Sequence, residues 1–343
     1  MDNLVCCSNC FSDKWIDRYI NTGGDANQTC SFCLKKNIIC ISPEKLTHLF
    51  LPFTEFYEEA PPTNGKPLWE LLKRDWLLFN SLALVKCEKL LKSILPDIDL
   101  CNKFFLERTF AYDQIDRWTT FKEELKHINR YFCSNLPEKE PLEAMFSFLS
   151  QEVSPPASFF RARISDNSEP IPIEEMGKPP QNKVGNGRAN PIGISYLYTA
   201  SDYETSIAEI RPHVGDLVCV CEFETTKHMV FVDLRNPRET LSPFDVIERE
   251  AKLETVFDNI EYLNKLGDEL SKPVIPREAN LEYLSSQYIC ELIKHLKYDG
   301  VIYKSSVGRG DNFALFDDKN VSGKDLKIYK ITKNNYQSEL IEI

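Results

Sequence analysis

No apolar run in the 343-residue sequence reaches the roughly 18 residues that a membrane-crossing helix needs. The opening residues, MDNLVCCSNC, carry neither the basic flank nor the hydrophobic stretch of a secretory signal. Both absences predict a cytoplasmic chain that does not engage a membrane. Basic residues are in deficit as well: 41 Lys and Arg face 52 Asp and Glu, for a net charge of −11. Coating nucleic acid takes an excess of cations to neutralise phosphates, so that class of function is disfavoured, although a local basic patch is compatible with the totals. No internal repeat and no low-complexity tract stands out. What is present looks ordinary for a globular protein: 42% hydrophobic and 27% charged residues, in a chain long enough for two or three domains.

Cysteine is the exception. Of twelve cysteines, six fall in the first forty residues, and the rest are scattered in apolar segments such as Val218-Cys219-Val220-Cys221, where they read as small core residues. A reducing cytoplasm argues against pairing them as disulfides. Cys7 and Cys10 form one CxxC knuckle and Cys30 and Cys33 a second, with nineteen residues between them. Two such knuckles supply four thiolates, the complete tetrahedral set of a structural zinc site with no position left for substrate. Unligated buried thiols are the alternative, and the neighbouring Cys6 and Cys40 could shift the ligand set by one residue.

Texture divides the chain further. Residues 1–60 read as a zinc-binding module. The Pro- and Gly-containing stretch 61–67 reads as a linker, and residues 61–154 as a helical domain, with Trp118, Phe121, Leu125, Ile128 and Phe132 at three- and four-residue steps on one face. Beyond Ser154-Pro155-Pro156 come short β-like runs at 159–164, 195–199, 217–223, 229–234 and 300–303. Two helices lie among them. One opens with Ser201 and Glu204 in capping-box spacing and ends by Pro212. The other carries Leu281, Leu284, Tyr288, Leu292 and Leu296 on one face. The expected fold class is α+β, with the last domain at 155–318 and a tail at 319–343.

Several spaced motifs in that last domain occur in a telling order: Phe159-Phe160-Arg161-Ala162-Arg163, Gly187-Arg188-Ala189-Asn190-Pro191, Tyr198 with Glu209 eleven residues on, then Tyr298-Asp299-Gly300 ahead of Ser305-Ser306 and Asn312. The succession resembles the RES domain, a family named for its Arg, Glu and Ser and similar in fold to the ADP-ribosyltransferase toxins. The upstream part, with its knuckles and helical segment, resembles the HEPN/RES amino-terminal region. HEPN ribonucleases use an Arg followed four to six residues later by His, and residues 68–150 contain no such pair, so ribonuclease activity is not expected.

The resemblance implies an enzyme that consumes NAD by breaking its nicotinamide–ribose bond. Planar guanidinium forks suit the diphosphate, which makes Arg161 and Arg188 the expected NAD-binding residues; Arg163 points the same way along its strand as Arg161 and is an alternative to it. Glu209 is the expected catalytic carboxylate, since loss of nicotinamide builds positive charge on the ribose and a carboxylate aimed there favours the transition state. A salt bridge to Arg211 or a solvated helix position is the plainer reading of the same residue. Tyr198 is expected to stack on nicotinamide. Ser286 is taken as the family serine, with Ser285 and Ser305 as alternatives; Ser305 and Asn312 are expected to complete the NAD pocket.

Water, phosphate or a protein side chain could accept the ADP-ribosyl group, so NAD glycohydrolase, NAD phosphorylase and protein ADP-ribosyltransferase are rival activities. A degenerate NAD-binding module that recruits a partner is the non-enzymatic rival. The resemblance places such a protein in a toxin–antitoxin or anti-phage setting. No helix-turn-helix segment is evident, so an antitoxin or regulatory partner would be a separate chain; an oligomer is left open.

Overall fold

The computed structural model describes residues 4–95, 102–109, 113–165 and 169–333. Packing divides the chain into two units that interleave in sequence: residues 1–114 with 238–261, and residues 115–237 with 262–343.

In the first unit, helix α1 (Lys14–Gly23) starts where Asp13 accepts the backbone N–H groups of Trp15 and Ile16, both at 2.9 Å, and so satisfies two donors that a helix start otherwise leaves bare. Strands β1 (Asp25–Thr29) and β2 (Lys36–Cys40) pair antiparallel. Cys30 and Cys33 sit in the turn between them, while Cys7 and Cys10 flank the 3-10 turn Ser8–Cys10. Three two-residue strands, β3 (Glu59–Ala60), β4 (Lys66–Pro67) and β5 (Phe104–Phe105), make a small sheet with β5 in the middle. The stretch 61–67 read as a linker supplies the turn between β3 and β4. Helices α2 (Leu68–Trp76) and α3 (Leu84–Ile94) follow. Residues 238–261 return to this unit through an aromatic cluster: the Phe244 ring lies 5.1 Å from Phe50 and 6.0 Å from Phe53, and Trp15 Nε1 donates to Glu248 at 2.6 Å.

In the second unit, helix α4 (Asp113–His127) buries Trp118, Phe121 and Leu125. Trp118 meets Tyr262, and Phe121 meets Tyr288 edge-on at 4.8 Å. The predicted stripe stops there, because Ile128 and Phe132 are 80% and 81% exposed. Glu124 ends the helix by turning the chain back: its carboxylate accepts the backbone N–H groups of Ser134 and Asn135. After α5 (Lys139–Phe148) come the strands of an eight-stranded sheet: β6 (Ser150–Val153), β7 (Ser158–Ile164), β8 (Leu197–Ala200), β9 (Leu217–Thr225), β10 (Met229–Asp233), β11 (Gly300–Lys304), β12 (Asp311–Leu315) and β13 (Val321–Lys330). Their spatial order is β13-β9-β7-β8-β12-β11-β10-β6, antiparallel apart from β10–β11. The mixed α+β architecture expected from the sequence is present. Residues 321–330, read as part of a tail, are an edge strand on β9 whose Lys324, Lys327 and Lys330 hide the strand pattern; residues 334–343 lie outside the described residues.

Three helices complete this unit. The first is α6 (Tyr203–Glu209), whose cap is Asp202 rather than the expected Ser201: Asp202 Oδ1 accepts the Thr205 N–H at 2.7 Å, while Ser201 spends its hydroxyl on Asp202. Next, α7 (Leu253–Ser271) belongs to the first unit as far as Glu261 and to the second from Tyr262. Last, α8 (Leu284–His295) buries Ser285, Ser286, Gln287, Ile289, Cys290, Leu292 and Ile293. The expected apolar face is cut short at both ends, because Leu281 falls in a separate helical turn and Leu296 is the cap.

Alternation along β7 sorts its residues. Phe159 joins a core with Leu197, Cys221, Phe231 and Leu315, whereas Ala162 packs with Val218, Val220 and Ile207 on the side of α6. Strands β7 and β8 share one ladder pair, Phe160 opposite Ala200, so the backbone ladder does not continue beyond it.

Candidate active site

Glu209 ends α6 and is exposed. Its Oε1 accepts two hydrogen bonds of 2.6 Å, one from Ser305 Oγ and one from Asn312 Nδ2. No basic side chain among the described residues lies within ion-pair distance, so the anticipated bridge to Arg211 is not formed, and Oε2 is free. Both donors are themselves fixed. Asn312 is buried on β12. Ser305 Oγ accepts the backbone N–H groups of Val307 and Gly308, so its one proton is directed at Glu209. The following loop is tied down at Gly310, whose N–H donates to Thr205 Oγ1; a Cβ at that position would overlap the Ser201 and Asp202 side chains, hence glycine.

Ser286, the serine favoured from sequence, is elsewhere engaged. It is buried on α8 and donates to backbone carbonyls, Arg188 O at 2.6 Å and Tyr283 O at 3.1 Å. Its role is to hold the segment carrying Arg188. Gln287, which the sequence did not single out, does more of the same work: its Nε2 reaches Asn186 Oδ1, Gly187 O and Asn190 O. Asn190 is likewise buried and spends Nδ2 on the carbonyls of Gly185, Pro191 and Ile194. Asn190 belongs to the 187–191 motif quoted from the sequence, but its bracing role depends on contacts the motif does not show, and Gln287, after two serines on a helix, carried no signal.

Tyr198 is half-buried on β8. Its hydroxyl donates to Asn190 Oδ1 at 2.7 Å and accepts the Ala189 N–H at 3.0 Å. Burial pushes its phenol above the usual range, so it stays neutral. The phenol therefore braces the 187–190 segment through its hydroxyl, with bonds that engage neither face of the ring. The Arg188 guanidinium donates to the carbonyls of Leu270 and Lys272 at the end of α7, where a helix leaves oxygens unpaired, and lies 5.5 Å over the Tyr283 ring.

Arg161 directly follows the one ladder pair between β7 and β8. Its Nη1 donates to Tyr198 O at 3.0 Å, its Nε is buried without a partner, and no carboxylate among the described residues pairs with it. Burial, with Arg163 nearby, lowers its pKa to about 10. It leaves β7 on the face opposite Ala162 and α6, so the structure does not set it beside Glu209 as one cluster. Arg163, the alternative, donates to Glu175 O.

The four thiols of the knuckles do converge: all Sγ atoms lie within 4.8 Å of one another, with Cys7–Cys33 and Cys10–Cys30 at 3.4 Å. A tetrahedral ion with bonds of about 2.3 Å sets ligand sulfurs about 3.8 Å apart, so the group fits a metal. The Cys33 N–H donates to Cys30 Sγ at 3.5 Å, a contact that favours thiolate. Hydrogen bonds from Cys10 and Cys7 lower the Cys30 thiol, and the same Cys10–Cys30 contact raises Cys10.

A cavity of about 690 Å³ in the second unit, lined among others by Lys178, Ile194, Lys294 and Lys297, includes none of these site residues. No helix among the described residues is long and apolar enough to cross a membrane.

Among solved structures, the M. tuberculosis MbcT–MbcA toxin–antitoxin complex contains a chain that aligns with 11% identity and a TM-score of 0.34, over 56% of this chain and 93% of that one. No curated protein matches. The RES domain family matches residues 159–333, half of the chain, a span holding Arg161, Arg188, Tyr198, Glu209, Ser305 and Asn312, and this protein belongs to that family.

Proposed function

We propose that this protein cleaves the nicotinamide–ribose bond of NAD, with Glu209 as the catalytic carboxylate. The observation that carries the reading is the state of that side chain: exposed, fixed through Oε1 by two neutral donors and, among the described residues, without a partner at Oε2 or a paired cation. A carboxylate neutralised by Arg or Lys has little to offer a developing cation; one oriented by Ser and Asn keeps its charge available.

In the proposed reaction the C–N bond breaks, its electron pair leaves with the nicotinamide nitrogen, and positive charge grows on the ribose opposite Oε2. The geometry favours Ser305 over Ser286 as the serine that works with the glutamate. Arg161, a half-buried cation with no counterion among the described residues, is suited to a diphosphate oxygen. Arg188 contributes its charge and, through its backbone, the frame of the pocket. Cys7, Cys10, Cys30 and Cys33 would hold a structural zinc, which ties the β1–β2 turn to the 3-10 turn and takes no part in bond cleavage. A toxin role with a separate antitoxin follows from the same reading.

Incubation of the purified full chain with NAD, with and without phosphate, tests it. Nicotinamide and ADP-ribose identify water as acceptor, a phosphorylated ADP-ribose identifies phosphate, and labelled protein identifies a side chain. NAD left intact in all arms removes the reading.

A further inference from the structure

Tyr303 lies on β11 directly opposite Asn312 on β12. Strand alternation puts both on one face, since their neighbours Ile302 and Phe313 belong to the core on the other. Asn312 is one of the two residues that hold Glu209, so the phenol leaves the sheet on the same face as, and next to, a partner of that carboxylate. The ring is only 4% exposed. Its hydroxyl makes no hydrogen bond to any described residue, and it is absent from the fully buried polar atoms that lack partners, so the oxygen keeps contact with solvent. Burial raises its pKa well above the usual value, with Tyr198 and Glu209 acting in the same direction and Arg188 opposing them. The environment is thus a neutral phenol within electrostatic reach of Glu209, Tyr198 and Arg188.

Tyr303 shares with Tyr196 and Tyr262 a hydroxyl that has no hydrogen-bond partner among the described residues, but those two are sealed from solvent whereas the Tyr303 oxygen is not, so it can still donate to a molecule that enters the site. Tyr198, two strands away, shows the ordinary solution, with its hydroxyl both donating and accepting. We propose that Tyr303 is a substrate-contacting residue whose hydroxyl donates a hydrogen bond to a ribose hydroxyl oxygen of the substrate, while that same ribose hydroxyl donates to Glu209 Oε2. This rests on the NAD-cleaving reading and adds to it the group that fixes which face of the ribose meets the carboxylate. A ribose hydroxyl has one proton to give and lone pairs to receive; Glu209 can only accept and a neutral phenol can donate, so the two fit the same hydroxyl from opposite sides.

The test uses Tyr303→Phe in the full chain, with NAD and with analogues lacking the 2′- or the 3′-hydroxyl of the nicotinamide ribose. Because the lost hydroxyl has no partner in the free protein, the melting temperature is expected to stay at the parental value. With NAD, kcat/KM should fall roughly tenfold, the size of one hydrogen bond. The decisive readout is discrimination: the parent should prefer NAD over one of the deoxy analogues, and the variant should lose most of that preference. A lowered melting temperature would assign the hydroxyl to the fold and overturn the proposal, as would an unchanged kcat/KM or a preference that survives intact. A parent that leaves NAD untouched fails differently, since it removes the NAD reading itself.

Discussion

The two polar centres of this protein solve opposite problems. At the knuckles, four sulfurs converge on one another, a closed set that a single ion would saturate. At Glu209, two neutral donors saturate one oxygen and leave the other open. A closed set can hold; an open one can act. The difference shows in how each is built. The thiols come from two local turns of the chain, whereas the glutamate's partners come from β12 and from the loop after β11, about a hundred residues further on.

The comparison can be broken most forcefully at the closed centre. Replacing Cys7 and Cys30 together with Ser should abolish metal content, found in the parent by elemental analysis as one zinc per chain. It should also strip the first unit of most of its stability, since a structural zinc contributes on the order of 10 kcal/mol of binding energy. A metal-free parent purified without chelator, or a variant that melts like the parent, would show that the thiols hold nothing.

At the open centre the effect should fall on rate rather than stability. Glu209→Gln is nearly isosteric and should keep the parental melting temperature while turnover of NAD drops ~10²–10³-fold, the usual loss for one aimed electrostatic group. Parental turnover in this variant would dismiss Glu209 as the catalytic carboxylate. A finer cut separates the two serines. Ser305→Ala should lower kcat roughly tenfold with little change in melting, because it frees the carboxylate, whereas Ser286→Ala should cost about 1 kcal/mol of stability by removing the hydroxyl that ties α8 to the Arg188 carbonyl; the Tyr283 carbonyl keeps the Gln287 N–H. The reverse pattern would restore Ser286 to the chemistry.

The smallest effect concerns charge. Burial lowers the Arg161 pKa from 12.5 to about 10, which leaves it fully charged at neutral pH. The same burial acting on a lysine, whose ordinary value of about 10.4 is lower to begin with, brings its titration closer to neutral pH. A cation with a depressed pKa holds its charge below that value and loses it above, so Arg161→Lys should bind NAD a few-fold more weakly at pH 7 and progressively worse up to pH 9, while the parent stays flat across that range. Calorimetry in a Glu209→Gln background would measure it; parallel pH profiles would take Arg161 out of the binding site.

Short-range patterns were legible. Both knuckles, the β-runs after residue 155, the order of the family motifs and the place of Glu209 on a short helix all follow from spacing within a few dozen residues; the exposure of Glu209 does not, since Tyr203, Ile207 and Ile210 beside it point to partial burial. Long-range choices were not. Nothing near Ser305 or Ser286 says which one reaches Glu209, because that depends on strand β11 returning beside β12. Tyr303 hid at the end of an apolar run, where a phenol looks like core. Asp202 displaced Ser201 as helix cap although both have the right chemistry, since only Asp202 sits one residue before the first helical turn. Residues 238–261 lie inside the span read as a single domain yet pack with the first unit, and their partners Phe50, Phe53 and Asp13 are some two hundred residues away.

That detour matters for how the chain is made. During synthesis the amino-terminal unit cannot close over Phe50 and Phe53 when residue 114 emerges, because Phe244 and Phe257 are still to come. By the time residue 261 leaves the ribosome, strands β6 to β10 have emerged, but β11, β12 and the Ser305 loop have not. At the usual pace of about 5–20 residues per second, the first unit has several seconds to complete itself before Glu209 can acquire its partners. The order of emergence thus makes the Glu209–Ser305–Asn312 cluster, with the edge strand β13 after it, late to form.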